Sequence, residues 1–291
     1  SSDPIPRVAL SATLGELEKV PAVLRPDGNF PCETISSSRH ESTVKVQVKG
    51  YLEPNNINDE SGNMSSEYQI CMEIFRTCRG DSHLVFANSR ARTESIAAKL
   101  LDLCSESIVP NEFFPHHGSL SKELRETLEA RLQKDALPTT AICTMTLELG
   151  IDIGKVNSVI QVTPPHSVSS LRQRLGRSGR RGLPSVLRML ISESELSNHS
   201  SFMDALRLGL IQSLAMVRLL IVDHWFEPAE LDQMHLSTLL HQILAVIAQF
   251  GSVRADQLYH LLCTRGPFKQ VSIKDFKVLL SHMGKVNLIQ Q

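Results

Sequence analysis

Between Leu171 and Gly182 the sequence LRQRLGRSGRRG places five arginines and three glycines in twelve residues. The chemistry that suits such a cluster is phosphate recognition. A guanidinium is planar, permanently charged and able to donate two parallel hydrogen bonds to anion oxygens. The density is local, because the 291-residue chain holds 30 basic and 31 acidic side chains, a formal net charge of −1. Any phosphate-binding surface is therefore confined to part of the molecule. The six cysteines form no CxxC pair and sit among apolar residues, which reads as reduced core thiols. His116 and His117 are adjacent in an extended segment and point to opposite sides, so no metal site is expected there.

The elements that must position the arginines follow an α/β pattern. The chain is long enough for more than one domain. VKVQV (44–48), HLVFA (83–87), TTAIC (139–143), SVIQV (158–162) and SVLRMLI (185–191) read as strands. Helical spacing covers 90–103, with Ser89 as N-cap, and a second helix runs from Ser119 with Leu124, Leu128 and Leu132 on one face. Alternating strands and helices predict a mostly parallel sheet. The loops after HLVFA, TTAIC and SVIQV then share its carboxyl edge, where such sheets bind ligands. The arginine segment is read as one of these loops. A polar stretch, Glu53 to Glu67, is expected to be a mobile loop. No run of about 18 apolar residues occurs and the amino terminus lacks a leader pattern, so a cytoplasmic protein without membrane attachment is expected.

SAT (11–13), VFANSR (85–90), HHGSLS (116–121), TMTLELGIDIG (144–154) and QRLGRSGR (173–180) resemble motifs III, IV, IVa, V and VI of superfamily 2 helicases, in that order, over about 170 residues. LELGIDIG and HHGSLS are most similar to the Lhr-type, or large helicase-related, branch. Gln173 stands where DEAD-box relatives place His.

The resemblance implies a RecA-like fold and residue roles. Arg177 and Arg180 would be arginine fingers on the phosphates of ATP. Gln173, Arg174 and Gly176 would shape the nucleotide-facing loop, and Gly176 and Gly179 would give the turn room. Gly150 and Asp152 would touch the nucleotide sugar or the fingers, and Glu148 would pair with an arginine or act in catalysis. Ser89, Arg90, His117, Gly118, Ser119 and Thr144 would line a strand-binding face. Ser11 and Thr13 would couple the two sites. Metal ligation is not expected from any of these residues.

Neither a GxxxxGK[ST] loop nor an acidic Mg²⁺-holding box is present; GIDIGK has one residue too few between its glycines and Val156 in place of Ser or Thr. ATP with Mg²⁺ would be bound mainly by a first RecA-like domain of the same full-length protein. Residues 1–15 are accordingly read as the end of that domain, 16–195 as the second RecA-like domain, and 196–291 as a connecting helix and a winged-helix module. In the last part, 202–222 reads as one helix with Leu206, Leu210, Leu214, Val217 and Ile221 on its stripe. Three shorter helices follow, the last with Ser272 and Asp275 in capping-box spacing, and VNLIQQ reads as the start of a β-wing. Lys274, Lys277 and Ser281 share the outer face of that last helix, as a nucleic-acid-facing helix would, so Lys274 and Lys277 are expected to contact nucleic acid. The expected function is the carboxyl-terminal half of an ATP-dependent helicase acting on single-stranded DNA or a DNA–RNA hybrid, with the chain alone inactive. The alternative is a non-catalytic nucleic-acid-binding protein of the same fold.

Overall fold

A computed structural model of the chain describes residues 6–11, 15, 17–24, 31–35, 43–55, 64–148, 151–154, 156–179, 183–228 and 233–290. Thr13, Gly150 and Arg180 lie outside them. The helices and strands, in chain order, are α1 (Val20–Leu24), β1 (Val44–Glu53), α2 (Ser66–Cys78), β2 (His83–Phe86), α3 (Arg90–Glu106), β3 (Phe113–His116), α4 (Lys122–Lys134), β4 (Thr140–Cys143), β5 (Ser158–Val162), α5 (Val168–Leu175), β6 (Ser185–Ser194), α6 (Phe202–Ala205), α7 (Leu208–Ile221), α8 (Leu236–Phe250), α9 (Ala255–Tyr259) and α10 (Ile273–Lys285). They fall into two compact units: Arg39–Glu227, and Ser1–Ser38 with Pro228–Gln291.

The larger unit is built on a six-stranded sheet in the order β1-β6-β5-β2-β4-β3, with every pairing parallel. β2 shows why the sheet's central strands are buried along their whole length rather than on alternate residues. All four of its residues are buried, Leu84 and Phe86 in one core cluster and Val85 in another, because helices cover both faces. One cluster sets Ile70 and Ile74 of α2 and Ile96 and Leu100 of α3 against Val85, Ile142 and Ile160. The other sets Leu128 and Leu132 of α4, Leu171 and Leu175 of α5, and Met216 and Leu220 of α7 against Leu84, Phe86 and Leu187. The carboxyl ends of β2, β4 and β5 are neighbours, so the loops that follow them share one edge.

Several elements differ from the sequence reading. α4 begins at Lys122, capped by Ser121, and buries Leu128 and Leu132 while Leu124 lies on the surface. The first half of the arginine segment is helix rather than loop: Ser167 caps α5, and Leu171 and Leu175 provide its buried face. Gly176 ends that helix in helical conformation, φ −59°, so only Gly179, at φ +90°, needs a glycine backbone. The helix expected over 202–222 is broken at Arg207, which is left-handed, and the buried stripe of α7 is Ser213, Met216 and Leu220. The polar stretch after β1 is shorter than expected, since Glu53 is in β1 and Ser66 opens α2; residues 56–63 of that stretch lie outside the described residues. Five of the six cysteines are buried, and burial pushes the Cys78 and Cys143 thiols well up, away from the reactive thiolate.

In the smaller unit, α8, α9, a π-helical turn (His260–Thr264) and α10 enclose Leu239, Ile243, Leu258, Leu262, Phe276 and Met283. Tyr259 meets Phe276 edge-on with ring centroids 5.3 Å apart. Ser272 caps α10 by accepting the Asp275 N–H, and Phe276 and Met283 are buried while Leu279 is half-buried. The wing does not follow. α10 runs through Gly284 to Lys285, Asn287 takes a left-handed conformation, and the Leu288 N–H bonds back to Met283 O. That arrangement closes the helix end as a Schellman-type cap does. No strand occurs among the described residues after it.

Candidate functional site

At the carboxyl edge of the sheet, two of the motif VI arginines are fixed by the motif V loop. Arg174 is buried on the inner face of α5, 4% exposed, beside Glu148, 5% exposed. Its Nε and Nη2 both reach Glu148 Oε2 at 2.9 Å, its Nη1 donates to Gln161 Oε1 at 2.5 Å, and its guanidinium lies over the Phe86 ring at 4.7 Å. A charge this deep requires both a partner and satisfied donors. Of the two roles held open for Glu148, pairing with an arginine is therefore the one seen. Arg177 follows the helix end and is half-buried. It donates to Glu148 O at 3.3 and 3.1 Å and to Ile151 O at 2.7 Å. Asp152 is exposed on the same loop and accepts from the Gly154 N–H at 3.4 Å. Gln173 and Gly176 lie on the same helix, half-buried and exposed respectively.

Gln161 extends this network toward the motif IV loop. Its Nε2 donates to Thr163 O at 2.7 Å and lies 3.4 Å from Asn88 Oδ1. Asn88 Nδ2 in turn bonds Thr163 Oγ1 at 2.9 Å and Pro164 O at 2.7 Å. Thr163 is held at φ +65°, an unusual conformation for a β-branched residue. The line from Glu148 through Arg174 and Gln161 to Asn88 joins the loops after β4, β5 and β2.

The residues expected to face nucleic acid gather beside it. Ser89 caps α3 by accepting the Arg92 N–H, and the exposed Arg90 donates from Nη1 to Ser119 Oγ at 2.6 Å. Gly118 is exposed next to Ser119, and Thr144 is half-buried at the end of β4 with its N–H on His116 O. His117 is 5% exposed and acts as a brace. Its Nδ1 accepts the Ser119 N–H, which leaves Nε2 to donate to Glu94 at 2.5 Å. His116 is fully buried between Thr146 Oγ1 at 2.8 Å and Glu129 at 2.9 Å. Ser11, Lys274 and Lys277 are exposed and belong to the smaller unit.

Burial lowers the His116 pKa and outweighs the raising effect of Glu129, so the ring is neutral and its bond to Glu129 is a hydrogen bond from Nε2–H. The sign for stability follows. Below the ordinary histidine value of about 6.5 the unfolded chain binds a proton that the folded chain resists, so stability falls as pH drops from there. Denaturant unfolding at pH 7.5 and pH 5 should show a smaller acid loss in His116→Gln than in the parent. An equal loss in both would remove the assignment of a neutral, buried His116.

Sequence reasoning missed the contacts that Gln161, Asn88, Glu94, Glu129 and Glu227 make in this region. Each acts across 13 to 76 positions of sequence, a distance at which no local pattern reports a partner. Among the described residues no group of three or more His, Cys, Asp or Glu could hold a metal ion, and no helix is long and apolar enough to cross a membrane.

Residues 66–182 match the helicase conserved C-terminal domain. The ATP-dependent helicase Lhr-Core of Saccharolobus solfataricus is 28% identical over 96% of this chain and 30% of its own length. Escherichia coli Lhr helicase/uracil glycosylase is 30% identical over 60% of this chain and 14% of its own. Mycobacterium smegmatis helicase Lhr, solved bound to ssDNA and AMP-PNP, is 27% identical and superposes with a TM-score of 0.66 over 92% of this chain and 32% of that one. The chain carries a helicase C-terminal domain and is similar to Lhr-type superfamily 2 helicases over most of its length. Its parallel sheet with helices on both faces is the RecA-like helicase fold. This Lhr-like chain spans less than a third of the length of the archaeal relative, and its matched domain holds motifs IV to VI on one sheet edge.

Proposed function

We propose that this chain is the carboxyl-terminal half of an ATP-dependent, single-strand-directed helicase, acting on DNA or a DNA–RNA hybrid in the cytoplasm. The observation that carries the reading is the linked set of loops at one sheet edge, with motif VI arginines bonded to the motif V loop and Arg90 bonded to Ser119 beside them. One side of that edge suits the phosphates of a nucleotide and the other the phosphates of a strand.

On this reading Arg177 and Arg180 are the arginine fingers, with Gln173, Arg174 and Gly176 shaping the helix end that carries them. A guanidinium has five N–H donors, so the three bonds that Arg177 gives to the loop leave capacity for a phosphate oxygen. Gly150 and Asp152 face the nucleotide from motif V. When bound, Mg²⁺ supplies charge neutralisation at the phosphates, and its ligands belong to the acidic box of a first RecA-like domain. This chain's own part is to hold guanidinium groups in place and to exclude water from them. Ser11 and Thr13 couple the two halves. The helices around α10 form a helical module whose Lys274 and Lys277 contact the strand.

Ser89, Arg90, Gly118, Ser119 and Thr144 form the strand path, with His117 bracing the loop that presents Gly118 and Ser119. Phosphate contacts position a strand without reading its bases, so affinity should be insensitive to base composition. Arg90→Ala should lower the salt slope of single-strand binding by about 0.7, the increment for one neutralised phosphate. Titration at several salt concentrations measures it, and an unchanged slope would take Arg90 out of the path.

A further inference from the structure

Helix α5, which leads into the motif VI fingers, is held at its first turn from a distant part of the chain. The Glu227 carboxylate accepts the Val168 N–H at 2.6 Å through Oε1, and the Ser169 N–H at 2.9 Å and Ser169 Oγ–H at 2.8 Å through Oε2. Burial pushes the Glu227 pKa up, but the Ser169 and Val168 amides and the Ser169 hydroxyl outweigh it and hold the carboxyl below its ordinary value. The next amide, Ser170 N–H, goes to the local cap Ser167 at 3.0 Å. Three otherwise unpaired donors at the helix start are thus satisfied, two of them by a residue 58 and 59 positions away, at the helix end that favours negative charge.

The place of Glu227 in the chain gives the contact its meaning. Phe226 packs into the core cluster that contains Leu171 and Leu175 of α5. The larger unit ends at Glu227, and the smaller one resumes at Pro228. The last anchored residue of the larger unit is therefore the one that grips the arginine helix. We propose that Glu227 is a positioning residue for the motif VI arginines, fixing the first turn of α5 and with it the helix that leads to them. The inference rests on the reading of motif VI as the ATP-facing segment.

The test uses two readouts. In this chain, amide hydrogen exchange should accelerate at Val168 and Ser169 by about tenfold in Glu227→Ala, the loss expected for an N-cap worth roughly one factor of ten. Ser170, capped by Ser167, should change much less. In the full-length protein the same variant should lower kcat for strand-stimulated ATP hydrolysis by about tenfold, with KM for ATP and single-strand affinity unchanged. Glu227→Asp, which keeps the charge, should recover part of both losses. If Glu227→Ala does not fold, Ser169→Ala removes one of the three bonds and should give a smaller fall in kcat. Unchanged exchange at Val168 and Ser169 overturns the clamp. Faster exchange with unchanged kcat overturns the positioning role. Arg177→Ala, run alongside, separates the layers. If it abolishes hydrolysis while Glu227→Ala spares it, only this inference fails; if neither variant affects hydrolysis, the reading of motif VI fails as well.

Discussion

Arg174→Ala should destabilise the larger unit by roughly 3–5 kcal/mol, the range for removing one partner of a buried ion pair. The truncation leaves Glu148 as a buried charge without its counter-ion, strips Gln161 Oε1 of its donor, and removes the guanidinium from the Phe86 ring. Arg174→Lys should recover little, because a single ammonium cannot reach Glu148 and Gln161 along the directions that the guanidinium fork spans. Trp225, the one tryptophan in the chain, lies in the larger unit, so its fluorescence during urea unfolding reports that unit. A loss below about 1 kcal/mol, the scale of an exposed pair, would show that the Arg174–Glu148 contact is not buried in solution.

The second large effect is catalytic and concerns the full-length protein. Arg180→Lys keeps one charge but loses the bidentate fork, so strand-stimulated ATP hydrolysis should fall by about 10³-fold, the lower end for arginine fingers, with strand affinity nearly spared. Arg177→Ala should differ in kind. Its bonds to Glu148 O and Ile151 O also hold the motif V loop, so it should lower thermal stability as well as hydrolysis. Steady-state kinetics with parallel binding and melting curves separate the two. A fall in strand affinity with hydrolysis intact would make motif VI a nucleic-acid patch.

Much of this unit was legible in the sequence because its strands are covered on both faces. HLVF, TAIC and SVIQV are short, mostly apolar runs, and Ser89 and Ser272 announced their helices through cap chemistry. β3 was not legible: FFPH is four residues long and contains a proline, tolerated because β3 is an edge strand. α5 was read as loop because the glycines that follow it and its polar composition mask the helical spacing of Leu171 and Leu175, which face the core. The wing was read from VNLIQQ, whereas α10 continues through Gly284 to Lys285 and closes on itself there. At the site, motif positions were visible, while the carboxylates and amides that hold them came from distant segments. Arg174 illustrates the limit: a role in shaping the loop was legible, while the partners that fix it, Glu148 and Gln161, were not.

The pairing of β1 with β6 bears on how the chain is made. Gln47 accepts a hydrogen bond from Arg188 across 141 positions, whereas His83 of β2 meets Ser158 of β5 across 75. Doubling a loop adds only about 0.6 kcal/mol of closure entropy, so the finished sheet hardly registers the difference. Timing does. At ordinary translation rates β1 leaves the ribosome on the order of 10 s before β6 exists to pair with it. Through that interval Val44, Val46 and Val48 form a strand-ready stripe without a neighbour, and Lys45 and Lys49 alternate with them. Lysines on an unpaired strand repel a second copy, so Lys45 and Lys49 disfavour pairing of β1 with the β1 of another molecule before β6 is made, and β1 stays an edge strand of the finished sheet.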